Sequence, residues 1–102
     1  MLLRDFSFQF KCSGTIARTT LLLTLIVTAL VTKISQAESF QAGLNAMDRE
    51  HYATAFRAWK DLAEDGEAEA QNNIAFLYER GYGVKQSYTR AIEWYKKAAA
   101  QQ

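Results

Sequence analysis

Tyr52, Ala55, Phe56, Trp59, Lys60 and Ala63 return 36 positions later as Tyr88, Ala91, Ile92, Tyr95, Lys96 and Ala99. This repetition constrains the fold more than any single motif, because one structural unit must serve twice. In the second copy, Ala91, Trp94, Tyr95 and Ala98 fall at i, i+3, i+4 and i+7, and upstream Ala70, Ile74 and Tyr78 fall at i, i+4 and i+8. Each set traces one face of a helix of 3.6-residue period. Between them lies Arg80-Gly81-Tyr82-Gly83-Val84, with glycine where a helix end favours positive φ. The pattern is that of a helical hairpin whose small residues let its helices approach closely, and a 36-residue period suits stacked hairpins.

The spacing predicts helices over about Ser39–Asp48, Tyr52–Glu64, Ala68–Arg80 and Tyr88–Ala100. The second of these stops at Asp65-Gly66, and the absence of proline suits a chain that is almost wholly helical. Gly43 precedes Ala55 by 12 residues, whereas its counterpart Ala75 precedes Ala91 by 16, and the extra four belong to the Gly81–Gly83 loop. The expected fold is all-α, with two stacked antiparallel helix-turn-helix hairpins forming a short α-solenoid behind an N-terminal signal segment. Trp59, Phe56 and Leu62 would pack on the third helix, which presents Ile74 and Tyr78. On that helix Ala70, Ile74, Ala75 and Tyr78 form the inward set.

Ala68, Ala70, Gln71, Tyr78, Gly81, Gly83, Val84, Ala91, Trp94, Tyr95, Lys97, Ala98 and Ala99 carry a resemblance to the Sel1-like repeat, a relative of the tetratricopeptide repeat. Ala75 stands where that family usually has glycine, and Ser87 where it usually has aspartate. Alanine is nearly as small, and serine still caps a following helix. In the first unit Gly43, Ala55 and Trp59 resemble the small, small and aromatic positions of a plain tetratricopeptide hairpin. The resemblance implies an α-solenoid scaffold that binds other proteins.

Charge divides the chain. Residues 1–37 hold Arg4, Lys11, Arg18 and Lys33 against Asp5, a net of +3, while residues 38–102 hold eight basic and ten acidic residues, a net of −2. Such a body gives no electrostatic reason to expect nucleic-acid binding. Residues 21–32, LLLTLIVTALVT, are the sustained apolar run. At ~1.5 Å per residue they span about 18 Å, short of the ~30 Å hydrocarbon core and closer to the apolar region of a secretory signal. Ser35 and Ala37 supply small residues at −3 and −1 of a cut before Glu38. The expectation is therefore a signal peptide over 1–37, cleavage after Ala37, a repeat domain over 38–102 and a periplasmic or secreted location. The alternative is an uncleaved anchor holding a membrane-tethered adaptor. Cys12 precedes the apolar run and is read as an inert thiol in the removed peptide.

The first helix of each hairpin in such a superhelix lines the concave surface, which places the candidate partner-binding residues. On the third helix the face opposite the inward set holds Glu69, Asn72, Asn73, Phe76 and Arg80. On the first helix the related stripe is Phe40, Leu44 and Met47. Together they suggest a shallow groove with apolar anchors and polar flanks, the shape of a peptide site. The competing role for Phe40, Leu44 and Met47 is packing within the protein. The last helix leaves Ile92, Tyr95 and Ala99 without a covering partner in this sequence, so self-association or docking is expected there.

Catalytic and metal chemistry find little support. His51 is the one histidine and residues 38–102 contain no cysteine, so no two-histidine metal site and no histidine–cysteine pair can form within the body. Members of the resembling family with paired cysteines are linked to penicillin-type substrates, and that pairing is missing here. Asp61, Glu64, Asp65, Glu67 and Glu69 straddle a turn and read as a solvated face. The run Glu93-Trp94-Tyr95-Lys96-Lys97 mixes rings and bases, with Tyr95 expected inward and the lysines outward. No cofactor and no metal is expected, and the function class is a non-catalytic module that binds a peptide or a partner protein.

Overall fold

The computed structural model describes the backbone of residues 2–101 and the side chains of residues 17–101. Four helices follow one another: α1 (Leu2–Asp48), α2 (Tyr52–Glu64), α3 (Ala68–Arg80) and α4 (Tyr88–Ala99). No strand occurs among the described residues, and the fold is all-α as expected. The bounds of α2 and α3 coincide with the predicted ones, and α4 ends one residue early, with Ala100 as its cap. The first helix departs from expectation. It does not start near Ser39 but runs unbroken from Leu2. Neither proline nor glycine interrupts residues 35–38, and the Ser39 hydroxyl donates to the Ser35 carbonyl at 2.9 Å instead of capping a new helix.

The chain divides into two compact units, Met1–Ile34 and Ser35–Gln102. In the first, nine large apolar side chains between Leu21 and Ile34 are each more than half exposed. The hydroxyls of Thr24, Thr28 and Thr32 turn back onto the carbonyls of Leu21, Leu25 and Ala29 at 2.8–2.9 Å, so these polar groups find partners within the helix. Residues Ala17–Asp48 are long and apolar enough, by length and composition, to cross a membrane. The twelve-residue run alone is short, but its helical flanks lengthen it, so length no longer separates signal from anchor. The Cys12 thiol and the side chains of Arg4, Asp5 and Lys11 lie outside the described residues.

The second unit is built from close helix crossings. Residues 35–48 of α1 pair with α2, and the crossing point is Gly43, where any added Cβ would overlap the indole of Trp59. Trp59 is almost fully buried, and its Nε1 donates to the Phe40 carbonyl at 3.1 Å. The turn between these helices closes with His51 N donating to the Ala46 carbonyl at 2.8 Å. Around Trp59 the core collects Ala46, Ala55, Leu62, Ala63, Ala70, Ile74 and Leu77. Leu77 joins Ala70, Ile74 and Ala75 as a fully buried member of α3, while Tyr78 is only half-buried.

The α3–α4 loop explains its own extra length. Gly81 ends α3 in the left-handed conformation. Gly83, at φ +69°, lays its backbone directly on Tyr52 and Ala53 at the start of α2, leaving no room for a side chain. Tyr82 stacks on Tyr52, with ring centroids 4.3 Å apart and planes 13° apart. The four extra residues thus reach back to the preceding hairpin. Ser87 then caps α4, its hydroxyl accepting from Arg90 N at 3.3 Å, as serine in that position was expected to do. Gln71, the buried polar side chain of the core, donates from Nε2 to the Ala63 carbonyl at 3.0 Å and accepts from Gln101 Nε2 at 2.9 Å.

Four substitutions test this account by thermal denaturation followed by circular dichroism. Gly43→Ala is expected to destabilise by about 1–3 kcal/mol, because the added methyl must displace a buried indole. Gly83→Ala should cost more than Gly66→Ala: both glycines have positive φ, but a Cβ at Gly66 meets nothing while one at Gly83 meets backbone. Gln71→Ala is expected to cost about 1–2 kcal/mol through its lost hydrogen bonds, one buried to Ala63 and one part-buried from Gln101.

Candidate functional site

A groove runs along the side of the second unit where α2, α3 and α4 meet. Its deeper part, a cavity of about 500 Å³, is lined by Phe56, Tyr78, Arg90 and the loop residues Val84, Lys85, Gln86 and Ser87. A second hollow of about 420 Å³ shares Phe56, Tyr78 and Arg90 and continues past Lys60, Glu64, Glu93, Trp94 and Lys97. Helical periodicity brings these side chains together, because Arg90, Glu93, Trp94 and Lys97 recur at steps of three and four along α4.

The floor is aromatic and rigid. Phe56 meets Tyr78 edge to face at 5.5 Å and 89°. The Arg90 guanidinium lies 5.6 Å over the Tyr78 ring and donates to its hydroxyl at 3.3 Å. The Lys97 ammonium lies 4.2 Å over the Trp94 ring. Such contacts hold cations at the groove wall without neutralising them. Lys60 pairs with Glu64 at 3.8 Å, an exposed pair of small energetic weight.

Charge collects here against the trend of the body. Four of the eight cations in residues 38–102, namely Lys60, Lys85, Arg90 and Lys97, line these two hollows, against the two carboxylates Glu64 and Glu93. The body as a whole carries −2, and the groove carries +2.

The residues expected from the sequence fall into separate groups. Phe40 and Met47 are half-buried and pack against the core, Phe40 with its ring 5.9 Å from that of Trp59. Leu44 and Glu69 are exposed, and Asn72 and Asn73 are half-buried. Phe76 is half-buried outside the core cluster, with the Arg80 guanidinium 5.6 Å over its ring and Tyr82 meeting it edge-on at 6.1 Å. Phe76, Tyr82 and Tyr52 thus form a continuous row of rings with one cation at its end. None of the eight expected residues lines the α2–α3–α4 groove.

The groove is hidden from the sequence because Phe56, Tyr78 and Trp94 recur at core spacing. Each is half-buried, with one edge on the core and the other in the groove. The i, i+3 spacing of Trp94 and Lys97 and the i, i+4 step from Arg90 to Trp94 were the available signal. Tyr95, expected inward, is 37% exposed, and its hydroxyl donates to Glu79 Oε2 at 3.0 Å. Partial burial, and then that hydrogen bond, raise the Tyr95 pKa above its ordinary value. His51 is exposed at the start of α2 and makes no capping bond with its side chain. Among the described residues no three histidine, cysteine, aspartate or glutamate side chains gather as metal ligands would.

No curated protein and no solved structure matches the chain significantly. The family model of the Sel1 repeat matches residues 68–102, about a third of the chain, which comprises α3, the glycine loop and α4. That hairpin, with its buried alanines, its doubly turned glycine loop and its backward reach onto α2, is similar to the Sel1 repeat, a repeat type that generally mediates protein–protein interaction.

Proposed function

We propose that this protein is a non-catalytic binding module whose α2–α3–α4 groove holds an acidic peptide segment of a partner protein. The observation that carries this reading is the aromatic floor of Phe56, Tyr78 and Trp94 walled by Arg90, Lys85 and Lys97. Rings supply buried area at little cost in side-chain freedom, and the cations select and steer an acidic ligand. A second reading uses the surface expected from the first helices, with Phe76 as anchor and Arg80 beside it. Its support is that Phe76 lies outside the core cluster with a cation stacked on it.

Panels of short peptides, each with one aromatic or leucine residue among glutamates or among lysines, separate these readings by fluorescence anisotropy. Glutamate-rich peptides should bind more tightly than lysine-rich ones and should weaken as salt rises. Arg90→Glu and Trp94→Ala should each weaken binding roughly tenfold, about 1.4 kcal/mol. Loss of binding with Phe76→Ala and Arg80→Glu, but not with the groove variants, would move the site to the second surface.

The apolar segment of α1 supports export. Its nine large side chains face outward, which suits either an export signal or a retained anchor. We favour cleavage after Ala37 and a periplasmic or secreted product, with a membrane-tethered adaptor as the alternative. Mass spectrometry of the exported protein decides: a chain beginning at Glu38 supports cleavage, and a chain retaining residues 21–32 supports the tether.

A further inference from the structure

The positive charge of the groove is unevenly placed. The deeper hollow holds Lys85 and Arg90, and the rest of its lining is uncharged. The outer hollow adds Lys60 and Lys97 but also Glu64 and Glu93, so the charges it adds cancel. Lys60 and Glu64 pair at 3.8 Å, and Glu93 stands one turn before Lys97 on α4. The whole +2 of the groove therefore lies at its loop end. That end is also held in shape. Ser87 N donates to the Tyr78 carbonyl at 2.9 Å and Gln86 Nε2 to the Glu79 carbonyl at 2.8 Å, which ties the loop wall to α3. The Arg90 guanidinium is oriented by its bond to the Tyr78 hydroxyl, a neutral acceptor that does not cancel its charge.

Phe56 and Tyr78 line both hollows. An apolar side chain seated on them has a cationic hollow on one side and a charge-balanced one on the other. From Arg90 to Lys97 is about 10 Å of helix, which an extended peptide covers in about three residues. The two flanks of one short segment thus meet different electrostatic surroundings. We infer that the groove selects a segment with a carboxylate on one flank of its apolar anchor, and is indifferent to charge on the other flank. The carboxylate is that of an Asp or Glu side chain or of a chain end, and it sits beside Lys85 and Arg90. These two residues determine specificity, whereas Lys60 and Lys97 are offset by their own acidic neighbours. The inference rests on the peptide-binding reading of the groove and fixes where along it the ligand's charge lies.

The test uses the full-length chain in a non-ionic detergent and labelled peptides with one leucine among glycines, blocked at both ends. Glutamates are placed on neither flank, on one flank in either order, or on both. A further peptide ends in leucine with its terminal carboxylate free. The better one-flank peptide is expected to bind roughly tenfold more tightly than the uncharged one, and glutamates on the second flank should change affinity by no more than about twofold. A gain with the glutamates assigns the carboxylate to a side chain, and a gain confined to the free acid assigns it to a chain end. Arg90→Gln and Lys85→Gln should each weaken the preferred peptide about fivefold or more, and Lys60→Gln and Lys97→Gln by less than about twofold. Equal losses at Lys97 and Arg90, or a second flank that adds as much as the first, would overturn the inference and leave an acidic-peptide groove standing. Absence of binding by every peptide would overturn the peptide-binding reading and this inference with it.

Discussion

The first hairpin depends on one missing side chain. Trp59 brings the largest apolar surface in the core, and it can be accommodated only because Gly43 presents bare backbone at the crossing of α1 and α2. Contact at that distance also lets the indole N–H reach the Phe40 carbonyl, so a buried polar group is satisfied by the same approach that buries the ring. Around this crossing, alanines at positions 46, 55, 63 and 70 keep the backbones close, and Leu62, Ile74 and Leu77 fill the space between them. Small residues set the spacing, and large ones then lock it.

The second hairpin is fastened to the first at both ends. At one end the Gly81–Gly83 loop lies on the first turn of α2 and stacks Tyr82 on Tyr52. At the other, Gln71 of α3 donates to the Ala63 carbonyl near the end of α2 and accepts from Gln101. The groove is a consequence of this arrangement, because it opens where the Phe56–Tyr78 contact leaves part of each ring uncovered. The groove floor and the structural seam are therefore made from the same side chains, Phe56 and Tyr78.

The architecture was largely legible in the sequence. Periodicity placed α2 and α3 to the residue, and the glycines and serine flagged the turns, because helix ends impose strong local chemistry. The start of α1 was not legible. A helix beginning near Ser39 was expected from the pattern that follows the cut before Glu38, but neither proline nor glycine interrupts residues 35–38 and the helix runs through them. The groove was hidden for a different reason. A residue such as Phe56 or Trp94 belongs to the core by its spacing and to the surface by its far edge, and spacing reports only the first. Cation placement over Tyr78 and Trp94 is a matter of rotamers, which no residue pattern specifies.

The two tryptophans occupy contrasting surroundings. Trp59 is sealed and hydrogen-bonded at the α1–α2 crossing, and Trp94 is half-buried under an ammonium at the groove edge. Their emission therefore offers two independent optical channels: one indole registers whether the first hairpin is closed, and the other registers what lies against the second.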